Sequence, residues 1–252
     1  MSDFDRNIAA RGGFGADRAV AIDAGLRAYM IRVYNLMAAG IAFTGIVAWV
    51  AFYIGTTAGA GGGLVLTPIG QMLFTGYAPI VLMLATLGLV FFLSFRINTL
   101  QVTTAFTLFA VYAALMGLAL GSIFVAYTGT SIARVFFITA ATFGAMSLYG
   151  YTTQRDLSGF GSFLFMGLIG IVIASLVNIF LASSALQFII SIVGVLVFVG
   201  LTAYDTQQIK EMYDVNDDGT VAGRKAVMGA LRLYLDFLNL FIMLLQLFGD
   251  RR

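Results

Sequence analysis

Asp205 and Asp236 lie inside long apolar runs of this chain. An ionised side chain at a bilayer centre costs at least ~2.5–3.5 kcal/mol on insertion scales, so such residues need a use. Their surroundings are polar at helical spacing. Thr202 stands one turn before Asp205, on a stripe with Gly194, Phe198 and Leu201. Arg232, Asp236, Asn239, Met243 and Gln246 form a second stripe at steps of three and four. A polar stripe on an apolar helix faces the bundle interior or a water path rather than lipid. Two carboxylates in contact cannot both ionise cheaply, so a touching pair shares a proton and answers to pH without any histidine. Arg96, at the end of the second apolar run, is a candidate counter-charge. An Asp–Arg pair in a poorly solvated place acts as a latch, because either partner left alone is an uncompensated charge. Carboxylate oxygens suit a hard cation such as calcium, which makes Asp205 and Asp236 candidate lining for a calcium path. The plainer reading is that both aspartates anchor helix ends near the headgroups.

The elements that carry these residues follow from composition. The chain has 252 residues, 60% hydrophobic and 10% charged, with a mean hydropathy of +0.97. A soluble domain carries about 25% charged residues, so the class is an all-α integral membrane protein. A net charge of +2 offers no basic field for nucleic acid. The absence of cysteine and histidine excludes disulfides, thiol catalysis and zinc or haem ligation through those side chains. Seven runs are candidates to cross a hydrocarbon core, the second of them short: Val33–Ile54, Ile80–Phe95, Val102–Tyr127, Val135–Tyr151, Phe160–Leu181, Leu186–Thr206 and Met228–Phe248. They lack the alternation of barrel strands and exceed them in length. This leaves a polar N-terminal tail over residues 1–30 and one membrane domain over 31–249. The tail has no short apolar core ahead of a cleavage site, so the first span is expected to serve as its own insertion signal.

Basic residues set direction. The tail and the loops holding Arg96, Arg155, and Lys210 with Arg224 and Lys225 alternate with loops almost free of charge, and Gly55–Pro79 has no charge at all. The N-terminus is therefore expected to be cytoplasmic. Arg134, Arg251 and Arg252 argue mildly against this. Gly40 and Gly45, Gly117 and Gly121, and Gly167 and Gly170 read as sites of close helix packing. Ala60–Gly63 is Gly-rich but lacks a phosphate-loop ending, and reads as a flexible external loop.

The segments Gly200-Leu-Thr-Ala-Tyr-Asp-Thr-Gln-Gln-Ile-Lys210 and Leu231-Arg-Leu-Tyr-Leu-Asp-Phe-Leu-Asn-Leu-Phe241, with Arg32-Val-Tyr34 ahead of the first span, resemble the Bax inhibitor-1 (transmembrane BAX inhibitor motif) family. The resemblance covers the seven-span layout and omits the first 25 residues. It implies a bacterial inner-membrane member that acts as a pH-sensitive calcium leak channel. It also implies a central seventh helix surrounded by the other six, Asp205 and Asp236 as a di-aspartyl pH sensor, and Arg96 paired with Asp205 in the closed state. Membrane lipid, calcium ions and protons are then the expected partners, with no cofactor. Bacterial relatives are also linked to modulation of a membrane-bound protease and eukaryotic ones to stress control, so an interaction protein using the polar tail is the alternative.

The loop over residues 211–225 is longer and more acidic than the family pattern. Its Asp214, Asn216 and Asp218, followed by Gly219, match the opening of a helix–loop–helix calcium site, but Lys225 stands where the bidentate Glu belongs. A turn is the plainer reading and a weak cation site the other. An intramembrane aspartyl protease is disfavoured, because Leu233-Tyr-Leu-Asp236 replaces Gly-x-Gly-Asp and the Pro-Ala-Leu element is missing. A retinal protein is excluded, since Lys210 and Lys225 are the only lysines and both lie in a loop. The chain is thus expected not to be an enzyme. A proton-coupled transporter would also use buried acids.

Overall fold

A computed structural model describes residues 3–59 and 63–252, with side chains from Asp23 onward. Its elements are α1 (Asp3–Gly55), the hairpin strands β1 (Thr56–Ala58) and β2 (Leu64–Leu66), a short helix α2 (Pro68–Phe74), and then α3 (Ala78–Arg96), α4 (Val102–Ala126), α5 (Gly129–Thr152), α6 (Ser158–Leu181), α7 (Ser184–Glu211) and α8 (Gly219–Phe248). Seven of the helices are long and apolar enough to cross a membrane, the first of these segments being Asp23–Gly55. The chain is an all-α membrane protein.

Caps explain where the helices begin. Thr67 accepts from Gly70 N, with Pro68 supplying a preset first turn. Thr128 caps α5, Ser183 caps α7 and Asp218 caps α8, each accepting a backbone N–H three residues on. Asp218 therefore starts the last helix nine residues ahead of the apolar run beginning at Met228. Those extra turns are mixed in polarity, which hydropathy alone reads as loop; Lys225 therefore lies on α8 and Lys210 in the last turn of α7, correcting the expectation that both sit in a loop. Between α1 and α2, Thr56 pairs with Leu66 and Gly59 N donates to Gly63 O at 2.8 Å, closing a hairpin. Of the expected flexible stretch Ala60–Gly63, residues 60–62 lie outside the described residues, as do the side chains of the first 22 residues of the tail.

The seventh membrane helix, α8, is the hub. Leu231, Leu233, Tyr234, Leu240 and Leu245 are almost wholly buried. Its direct neighbours are α1, α4, α5 and α7, while α3 packs outside on α4 and α6 outside on α7. Four helices rather than six therefore form the inner ring. Small residues draw that ring tight. A Cβ on Gly229 would lie 3.0 Å from Ile209, and one on Gly40 would lie 2.6 Å from Phe109. Gly117, Gly121 and Gly167 also abut neighbouring side chains, as packing glycines do, but Gly45 and Gly170 face open space. For those two the packing expectation is corrected.

The turns α3–α4, α5–α6 and α7–α8 share one end of the bundle. The hairpin, α2, the α4–α5 and α6–α7 turns and the C-terminus share the other. There the last residues clasp the α4–α5 turn. Arg252 N donates to Ala126 O at 3.0 Å, Thr128 N donates to Asp250 O at 3.1 Å, and Arg134 meets Asp250 at 3.0 Å.

Candidate functional site

The seam between α7 and α8 carries both aspartates. Asp205 lies near the C-terminal end of α7 and Asp236 just past the middle of α8. Their carboxyls neighbour one another across the seam. Asp236 is 4% exposed, and its Oδ2 has no hydrogen-bond partner among the described residues. A buried polar atom left unmatched is rare in a folded protein, and a proton shared with the neighbouring Asp205 carboxyl would satisfy it. Close packing behind Asp205 fixes its helix. A Cβ on Gly150 of α5 would fall 2.2 Å from Ala203 O, and one on Gly161 of α6 would fall 2.4 Å from the Tyr204 ring.

The cation at this pair is Arg232, one turn before Asp236, with its NH1 atom 3.9 Å from Asp205 Oδ1. At that separation the contact is a charge pair and not a hydrogen bond. Arg96 does not take this place. It is exposed in the last turn of α3 and enters none of the ion pairs among the described residues. The reason is side-chain direction: the end of α3 reaches the α7–α8 turn, where Asn98 O accepts from Arg224 at 2.7 Å, but Arg96 lies on the exposed face of its helix. Arg232 also lines a vestibule of ≈ 510 Å³ that opens at the α3–α4 and α7–α8 turns, together with Ser94, Asn98, Arg224 and Lys225.

The other expected polar helpers divide. Thr202 donates to Phe198 O at 2.7 Å and Asn239 to Leu235 O at 2.8 Å, so both are spent on their own helices. Gln246 lies at the opposite end of the seam. Its Oε1 accepts from Gln187 Nε2 at 2.7 Å and from Ser191 Oγ at 2.8 Å, and Gln187 Oε1 accepts from Asn178 at 3.2 Å. Between the two polar ends Met243 lies over Gly194, with its Sδ 2.9 Å from where a Cβ would stand. The seam is polar at both ends and sealed by apolar atoms between them.

Hydroxyls that the stripe reasoning missed reach the site from behind. Tyr34 bonds Ser147 at 2.5 Å, Ser147 bonds Thr206 at 2.9 Å, and Thr206 donates to Thr202 O at 2.7 Å. Thr206 follows Asp205 directly, which is the one signal that could have drawn attention to it. A second missed group is Tyr234, whose hydroxyl bonds Thr44 at 2.6 Å deep in the hub.

The α7–α8 loop is a turn. Asp214 Oδ1 accepts from both the backbone and side-chain N–H of Asn216 at 2.9 Å, and Asp218 is occupied as the cap of α8. Lys225 binds Asp217 at 2.5 Å. Asp214, Asn216 and Asp218 thus make local bonds, and no group of three acidic side chains able to hold a metal occurs among the described residues. The N–H groups that Asp214 accepts hold its carboxyl below the ordinary 3.8, and Ser158 does the same for Asp156 in the α5–α6 turn.

Relatives agree with this architecture. Residues 26–252 match the family described as inhibitor of apoptosis-promoting Bax1. The chain is 50% identical over 240 residues to the inner membrane protein YbhL of Escherichia coli K12, covering 94% of this chain and 97% of that one. It is 46% identical over 231 residues to a protein of Rickettsia prowazekii, covering 91% and 92%. A protein of Caulobacter vibrioides is 42% identical over 260 residues, covering all of both chains. With its motif aspartates on the last two of seven membrane helices and a match over nearly its whole length, the chain belongs to the Bax inhibitor-1 family.

Proposed function

We propose that the protein is a pH-responsive calcium leak channel of the bacterial inner membrane, with its N-terminus in the cytoplasm. The observation that carries this reading is the Asp205–Asp236 pair: two acids side by side, one with an unmatched buried oxygen, and one loosely held cation beside them. Gain or loss of one proton changes the charge of the pair next to Arg232. That change strengthens or weakens the Asp205–Arg232 contact and biases α8 against α7, which is how a local charge event becomes a two-state switch. Calcium is cargo here. Two carboxylates fall short of the roughly six to eight oxygens of a resident site, which suits passage over storage. The Met243 seal over Gly194 corresponds to a closed seam.

Calcium flux into proteoliposomes, measured against pH, tests the reading. Asp205→Asn and Asp236→Asn are each expected to flatten the profile while flux remains measurable. A profile unchanged in both variants overturns the gate, and flux that saturates with a cosubstrate replaces the leak with a transporter.

A further inference from the structure

Helices α1 and α5 both pack on α8 but scarcely on each other. Two cavities open between them. One of ≈ 690 Å³ is lined by Arg27, Ile31 and Tyr34 on α1 and by Gly144, Leu148 and Tyr151 on α5. The other, of ≈ 290 Å³, continues along the same two helices past Gly45, Ala48 and Gly129, with Phe241 of α8 as its floor. From Arg27 to Ala48 the helix rises roughly 30 Å, about the thickness of the hydrocarbon layer.

Three glycines face this crevice, Gly45, Gly129 and Gly144, and a Cβ on any of them would meet nothing within 4 Å. They keep the crevice open and do not pull helices together. Within it, Tyr34 reaches across to Ser147 at 2.5 Å. A gap bridged by one tyrosine side chain is too narrow for another helix, which is about 10 Å across, but it admits an acyl chain. Charge is confined to one end. Arg27 stands exposed at the rim, and Lys210 Nζ sits 2.9 Å from Tyr151 O and 5.3 Å from the centre of the Tyr151 ring. Among the described residues no carboxylate lines either cavity. A basic rim over a gap between membrane helices is the arrangement that takes acidic lipid headgroups.

We propose that the α1–α5 crevice binds one anionic phospholipid from the leaflet on the Arg27 side, with its phosphate at Arg27 and Lys210 and an acyl chain laid along Ile31, Gly144 and Leu148. The site stands apart from the aspartate pair and does not depend on the channel reading.

Native mass spectrometry of the detergent-purified full chain, titrated with phosphatidylglycerol or phosphatidylcholine, tests this. One phosphatidylglycerol is expected to be retained per chain. Each cation near an anionic headgroup favours it over phosphatidylcholine by about fivefold, so Arg27 and Lys210 together give a preference on the order of 25-fold. Arg27→Gln should lower that preference about fivefold. A Cβ at Gly144 meets nothing within 4 Å, so Gly144→Leu is expected to fold, as the melting temperature in detergent will report. Displacing even two methylenes should weaken retention of both lipids by about tenfold. Equal retention of the two lipids by the unaltered chain, undiminished retention in Gly144→Leu, or a dimer that forms in place of the lipid adduct overturns the proposal.

Discussion

The two ends of the α7–α8 seam are both polar and are built on opposite terms. At one end Gln187, Gln246, Ser191 and Asn178 are neutral and saturate one another with bonds of 2.7–3.2 Å. At the other, two acids neighbour each other, one oxygen is unmatched among the described residues and the cation paired with them, Arg232, stands 3.9 Å off. Neutral amides in mutual contact fix a register at no electrostatic risk. Acids left half-satisfied cost stability and gain responsiveness, since their best arrangement changes with one proton. The same pair of helices is thus clamped at one end and poised at the other.

The largest effect is expected where the poised end is held in place. Gly150→Leu drives a side chain into the Ala203 carbonyl, a backbone atom that cannot move aside. Overpacking of this kind costs ~1–3 kcal/mol or more, and a lowered melting temperature in detergent will show it. Next, Gln246→Leu at the clamped end strips Gln187 Nε2 of its acceptor, while Ser191 Oγ keeps Gln187 O, and should cost about 1–3 kcal/mol, yet leave the pH at which flux changes where it was. A shift of that pH would mean the ends are not separate. Third, Arg232→Gln should move the pH response of calcium flux, whereas Arg96→Gln on the exposed rim should change stability by less than about 0.5 kcal/mol and leave the response alone. The reverse outcome would return Arg96 to the site. The smallest effect lies outside the bundle. The Asp214 and Asp156 carboxyls titrate below 3.8 in the folded chain, so what their turns contribute is present above that value and lost as pH falls through the folded one. Protection of the Asn216 and Ser158 amides, measured relative to their intrinsic exchange rate, should fall only in that acid range, well away from any flux transition.

Much of this was legible in the residues. Long apolar runs mark seven membrane helices, and steps of three and four set Asp205 and Asp236 on faces that meet in one seam. Spacing along a helix, however, says nothing about its position around the bundle. Arg96 is at the expected end of its span but on the exposed face of α3, while its neighbours Ser94 and Asn98 share the vestibule with Arg232. Nor does a stripe reveal which polar groups are already used: Thr202 and Asn239 bond back to their own helices, which any Thr or Asn at i and i−4 can do unseen. Glycine is ambiguous for a similar reason. Gly40 and Gly45 look alike in sequence, and only the placement of Phe109 against one and of nothing against the other tells packing from vacancy.

The hub of this bundle is also its final helix, fastened at its far end by the last residues to the α4–α5 turn. The helices before it already pack in two groups, α1 with α3 and α4, and α5 with α6 and α7. With α1 and α5 scarcely touching, α8 is the element that joins one group to the other.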